Sequence, residues 1–181
     1  MKTILILSLF LMNLSAFAAV KMVRGMNLTQ LGTYIYDAAT GTSPKTPAQI
    51  AVDQIKAMGA THVVLNPTAT MTDPFGSDVI PELGPSERNA ERARYKRLID
   101  YIHAQGMTVG LRPIFFVIHP DGRFPYRQRM PDGTDKVWWH GNIQPKDVNR
   151  WFDSFKQYHD IYLLIARLNK VEEYTIGAEL Y

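Results

Sequence analysis

Met107-Thr108-Val109-Gly110-Leu111-Arg112-Pro113 is the stretch that decides how this chain folds. It is a short apolar and β-branched run, with Gly106 in front of it and Pro113 behind, the punctuation expected of a strand. Ahead of Gly106 lies a helical stripe, Tyr95, Leu98, Ile99 and Ile102, so the connection into the strand is very short. Behind Pro113 a long segment, residues 114–146, intervenes before the next helix. The same asymmetry surrounds Thr61-His62-Val63-Val64-Leu65-Asn66, entered through Gly59 and closed by Pro67 and a Pro/Gly/Ser/Asp-rich segment, residues 68–86. Short connections into strands and long loops out of them suit a barrel whose working face is built from βα loops.

Working outward, Met22–Asn27 reads as a first strand, followed by a polar loop that holds Tyr34 and Tyr36. Thr46-Pro47-Ala48-Gln49 starts a helix, with Thr46 as cap, Pro47 in the first turn and Gln49 closing a capping box. Its apolar stripe is read as Ile50, Ala51, Ile55 and Met58. Ser86 is the expected cap of the second helix. The third begins near Asp147 and runs to Leu168, with Val148, Trp151, Phe152, Phe155, His159, Tyr162 and Ala166 along its buried side. Tyr174-Thr175-Ile176-Gly177-Ala178-Glu179-Leu180-Tyr181 is a final strand that carries a carboxylate near its end.

The order is thus β-α-β-α-β-α-β, with strand starts 39, 46 and 67 residues apart. Such alternation means parallel strands joined by right-handed crossovers, and the near-continuous apolar runs suggest a sheet buried on both faces. No G-x-G-x-x-G follows the first strand, so a dinucleotide-binding fold lacks its phosphate turn. The fold class expected is α/β, a parallel (β/α) TIM-barrel type, with about four strands and three helices of an eight-fold barrel.

Composition narrows the function classes. Lys2, the apolar run Ile4–Leu14 and Ala16-Phe17-Ala18 make residues 1–18 a secretory signal peptide with an A-x-A cleavage site. Residues 19–181 form the domain, and the expected location is secreted or periplasmic, with no membrane association after signal cleavage. N-terminal sequencing of the exported protein should read from Ala19 or one residue later; retention of Met1 would refute this. The chain has no cysteine, which excludes disulfides and thiolate sites. A formal charge of +3 is too small for a nucleic-acid footprint, and Arg88–Arg97 is interleaved with Glu87, Glu91 and Asp100 as on a solvated helix. No H-E-x-x-H, G-x-S-x-G or P-loop pattern occurs, so no metal or cofactor is expected.

What remains is the segment 114–146, which carries Phe115, Phe116, Phe124, Tyr126, Trp138 and Trp139, four prolines and two Asp-Gly turns. Loops of this length are functional or disordered, and aromatic content argues for the former. Trp139 offers a flat apolar face for a sugar ring, while Trp138 reads as core. Asn27, Asn66 and Arg112 stand at strand ends, where ligands gather. His140 is a candidate substrate contact, and His119 is read as a surface loop residue at least as readily. His62 and His159 are read as packed structural histidines, and Trp151, Phe152 and Phe155 as core.

Trp139-His140-Gly141-Asn142-Ile143, Trp151-Phe152-Asp153-Ser154-Phe155, Tyr162–Ala166 and Ile176-Gly177-Ala178-Glu179-Leu180, in this order, resemble the N-terminal half of glycoside hydrolase family 113. Arg24–Asn27, Gly59–Val63 and Gly106–Pro113 resemble its first three strands. The resemblance implies a retaining (β/α)8 enzyme of the endo-β-mannanase kind, acting on a carbohydrate substrate. It makes Glu179 the general acid/base and puts the nucleophile on a seventh strand beyond Tyr181. Retention needs the two carboxyls about 5–5.5 Å apart. Ile114-Phe115-Phe116-Val117 departs from the family where a polar sugar contact is expected, which bears on mannan specificity. Ala178 for Thr and Phe155 for Tyr are milder changes. The alternative is a non-catalytic carbohydrate-binding or assembly protein on the same scaffold. Four strands alone are further expected to leave open edges and an apolar inner face, favouring association and no glycosidase activity in these 181 residues.

Overall fold

The computed structural model describes residues 23–29 and 43–177. The signal segment, Tyr34, Tyr36 and Glu179 lie outside the described residues. In chain order the elements are β1 (Gly25–Thr29), α1 (Pro47–Ala57), β2 (His62–Asn66), β3 (Thr68–Met71), β4 (Ile80–Pro81), a 3-10 turn (Pro85–Glu87) and α2 (Arg88–Ala104). β5 (Thr108–Leu111), β6 (Ile114–Val117), β7 (Tyr126–Arg129), β8 (Asp135–Trp138), α3 (Val148–Leu168) and β9 (Glu173–Tyr174) follow. The main sheet has the order β1-β2-β5-β9, all parallel. Consecutive strands of the β-α pattern are therefore neighbours, which is the arrangement of adjacent strands in a (β/α) barrel.

The caps explain where the helices begin. Thr46 accepts from the Gln49 amide at 3.2 Å while Gln49 returns a bond to the Thr46 amide at 2.9 Å, the reciprocal box read from the sequence. Asp147 caps α3 by accepting from the Arg150 amide at 3.0 Å. Ser86 is not the cap of α2. It lies inside the 3-10 turn, where Glu87 reaches back to the Gly84 amide and the helix follows directly.

Two prolines read as strand terminators instead bend strands that continue. Beyond Pro67 and Pro113 the chain resumes as β3 and β6, paired in parallel, with β4 on the far edge of β3. Proline lacks an N–H, but here the ladder needs only its carbonyl: the Ile114 amide donates to Pro67 O at 2.9 Å. Tyr158 of α3 lies against both bends, its hydroxyl 2.7 Å from Pro67 O and 2.9 Å from Ile114 O. The segments 68–86 and 114–146 thus form ordered sheet extensions, the second also carrying the antiparallel hairpin β7–β8.

The sheet is not apolar on both faces. Alternate residues Val63, Leu65, Val109 and Leu111 are fully buried with Tyr95, Ile99, Ile102, Tyr162 and Ile165 of α2 and α3. The residues between them point to the opposite, axis-facing side. A Cβ at Gly110 would stand 2.9 Å from His62 Nε2 and 3.3 Å from Val64 Cγ2, which places these three together on that side. Apart from Val64 the larger axis-facing side chains of β2, β5 and β9 are His62, Asn66, Thr108 and Glu173, so the expected apolar inner face is not found among the described residues. β-branched and polar residues alternate within runs that read as continuous only because valine and threonine both favour strands.

Helix stripes are narrower than read. In α1 the buried residues are Ala48, Val52 and Ile55, whereas Ile50 is 39% and Met58 63% exposed. In α3 Trp151, Phe155, His159, Tyr162 and Ala166 are buried as expected. Val148 and Phe152 are exposed on one edge, Phe152 by 57%. Tyr158, Ile161 and Ile165 complete the stripe instead, because a helix against a sheet buries a band centred on one line of its surface.

Candidate active-site face

Register sorts the axis-facing residues into layers. Gly25, His62 and Thr108 form the lowest, Asn27, Val64, Gly110 and Glu173 the next. Thr29 pairs with Asn66 above them, and the Arg112 and Thr175 amides bond to Leu65 O and Leu111 O at 2.9 Å, which carries the ladder one step further. Thr29, Asn66, Arg112 and Thr175 therefore share the uppermost level, at the C-terminal ends of the strands. β1 runs two residues beyond its expected end, so Asn27 lies one layer below this rim and Thr29 takes the rim position. Thr29 and Thr175 were missed in the sequence. The period of two, counted from Asn66 through the register, is the signal that finds them.

The rim residues hold polar atoms that are unmatched among the described residues. Asn66 is fully buried, and its Nδ2 donates to Thr29 Oγ1 at 2.8 Å. Its Oδ1 and the Nε of half-buried Arg112 are buried without a hydrogen-bond partner among the described residues. A buried unmatched polar atom costs about 1–3 kcal/mol, so two at one level call for a ligand or water.

Below the rim, His62 is a structural residue of the kind expected. The Thr108 hydroxyl donates to Thr61 O at 3.3 Å and so accepts from His62 Nδ1 at 2.8 Å. His62 Nε2 faces Glu173 Oε2 at 3.5 Å. His159 is also buried. Tyr174 donates to His159 O at 3.1 Å, leaving its oxygen to accept from His159 Nδ1 at 2.9 Å. Burial lowers the His159 pKa to about 4, against a small opposing pull from Asp160. This pair ties β9, the strand leading to Glu179, to α3. Elsewhere in the helix layer, Tyr162 donates to Glu91 at 2.5 Å, and burial raises the Glu91 carboxyl despite that bond.

The aromatic residues stand beyond the rim. Trp138 is buried edge-on to Phe75 at 5.0 Å, under Lys136 Nζ at 3.6 Å, with its N–H donated to Gln128, so it anchors the hairpin. Trp139 is 37% exposed and meets His140 edge to face at 5.0 Å. His140 in turn packs on Phe115 of β6 at 5.9 Å. The structure thus brings Asn66 and Arg112 together on one level and sets Trp139 and His140 on the extension above it.

Comparisons with known proteins agree with this geometry. The family model described as Glycoside Hydrolase Family 113 matches residues 32–181. Among solved structures, a family 113 β-mannanase from Alicyclobacillus acidocaldarius superposes with a TM-score of 0.58 at 18% identity, covering 86% of this chain and 44% of that one. A family 113 β-1,4-mannanase gives a TM-score of 0.54 at 17% identity, covering 86% and 45%. No curated protein is matched. The chain spans less than half the length of these mannanases. At such identities the likeness carries the fold, while the family model covers most of the sequence: the chain belongs to glycoside hydrolase family 113.

Proposed function

We propose that this chain supplies the first four strands, and the acid/base half, of an exported retaining glycoside hydrolase acting on a β-linked polysaccharide of the mannan type. The observation that carries the reading is the family match, which spans residues 32–181 and so takes in Glu179, five residues past β9 in the sequence. In this reading Glu179 protonates the departing glycosidic oxygen and then, as a carboxylate, takes a proton from the attacking water. The second carboxylate, which attacks the anomeric carbon, comes from a strand outside these 181 residues. Asn66 and Arg112, with atoms left unmatched at the rim, bind sugar hydroxyls or hold the acid/base in place. Trp139 presents an apolar ring to the C–H face of a sugar unit.

The test is turnover of β-1,4-mannan oligosaccharides by the natural gene product that carries these residues, compared with Glu179→Gln. The variant should lose about 10²–10⁴-fold in kcat while still binding substrate, the range for removing a general acid/base. Proton NMR should show that the anomeric configuration is retained. Undiminished turnover in Glu179→Gln, or inversion, would remove the assignment. Binding of mannan oligosaccharide without turnover would favour a non-catalytic carbohydrate-binding protein.

A further inference from the structure

The chain leaving β6 makes a tight turn, with the Gly122 amide donating to His119 O at 2.7 Å and the His119 amide to Arg123 O at 3.0 Å. It then enters the hairpin through Phe124 and Pro125. His119, Arg123, Phe124, Pro125 and Arg127 line a half-open depression of about 280 Å3, just below the range for small-ligand sites and enough for about one sugar ring.

Its orientation follows from β6. Phe115 packs on Trp151 and Phe155 of α3, on the helix side. Phe116, the next residue, points the other way. It meets Phe124 edge to face at 5.4 Å, which brings Phe124 and its cavity to the axis-facing side of the extension, above the rim. Phe124 is 59% exposed, a large aromatic held in water by a fixed edge contact.

The charges are uneven. Asp121 takes His119 Nδ1 at 2.7 Å and Arg123 Nε at 2.7 Å, so one carboxylate answers two of the basic groups. Arg129, two residues further along β7, is paired with Asp135 at 3.2 Å. Arg127 is exposed and has no carboxylate partner among the described residues. An aromatic ring beside an uncompensated guanidinium, in a cavity the size of one sugar, matches a sugar that bears a carboxylate. Arginine is the side chain best shaped to bind a carboxylate with two hydrogen bonds.

We infer that this cavity is a subsite for a uronate residue of the polysaccharide, with Phe124 under the ring and Arg127 on the carboxylate. The inference rests on the carbohydrate reading above and names the substrate more narrowly.

The probes are β-1,4-linked mannotetraose and its uronate counterpart, β-1,4-linked tetramannuronate, which carries a carboxylate at each C6. Titration calorimetry on the full gene product should show the uronate tetramer binding about tenfold more tightly than the neutral one, a preference that shrinks in high salt. Arg127→Gln should abolish that preference and change mannotetraose affinity less than twofold. Arg127 is exposed, so the fold should survive, and circular dichroism checks it. Phe124→Ala should weaken both tetramers. Equal affinity for the two tetramers, or a preference that persists in Arg127→Gln, would overturn the uronate subsite and leave the carbohydrate reading intact. Binding of neither tetramer would overturn both.

Discussion

The two faces of the β1-β2-β5-β9 sheet are built from the same strands and differ in almost everything else. On the helix side Val63, Leu65, Val109 and Leu111 meet α2 and α3 in a closed apolar layer. On the axis side, one residue away along each strand, stand His62, Asn66, Thr108 and Glu173, with buried polar atoms that have no hydrogen-bond partner among the described residues at Asn66 and, just past β5, at Arg112. One face supplies stability through removal of apolar surface from water. The other holds polar groups that weaken the fold on their own and acquire value when a ligand arrives. Period-two alternation lets a five-residue strand serve both ends.

Truncating one residue on each face should cost very different amounts of stability. Leu111→Ala opens a cavity in the closed layer and should lower unfolding free energy by about 2–5 kcal/mol. Asn66→Ala, on the other face, removes one hydrogen bond to Thr29 together with an oxygen that has no partner, and should cost no more than about 1 kcal/mol. Denaturant titration reads both. Similar losses at the two positions would mean that the axis side is as much a structural core as the helix side.

A somewhat smaller effect is expected from acid. His159 has a pKa of about 4 in the folded chain and about 6.5 when unfolded. Between these values the unfolded chain binds more protons, so stability should be full above pH 6.5 and fall as pH drops toward 4. The loss should be at most about 3 kcal/mol. Asp160 and Tyr174 face this ring, and Asp160 moderates the shift by favouring the charged form. His159→Phe should flatten the profile in that window; an unchanged acid slope would show that other groups carry it.

The fold was legible because its punctuation is chemical. Thr46, Pro47 and Gln49 satisfy helix-end amides, Asp147 does the same for α3, and Gly59 and Gly106 take positive φ where helices end. Pro67 and Pro113 misled because a proline ends a strand only where its missing N–H is needed, and at Pro67 the neighbouring strand uses the carbonyl instead. Ile50, Met58 and Phe152 were misplaced because a helix stripe read from hydrophobicity alone has no sharp edge. The rim was half legible: Asn66 and Arg112 stand beside prolines that mark the strands in the sequence, whereas Thr29 and Thr175 emerge only once register between distant strands is known. The Arg127 cavity was not legible, because it depends on which face of β6 carries Phe116.

If sugar binds on the axis-facing side of this sheet, rim residues set its affinity and residues on the outer edge of α3 do not. The measurement is the Kd of β-1,4-mannotetraose for the gene product and two variants, Arg112→Ala at the rim and Phe152→Ala on the exposed edge of α3. Arg112→Ala should weaken binding about tenfold, the usual cost of losing a charged hydrogen-bond donor, with Phe152→Ala unchanged. An unaltered Kd in Arg112→Ala, or a loss in Phe152→Ala, would contradict it.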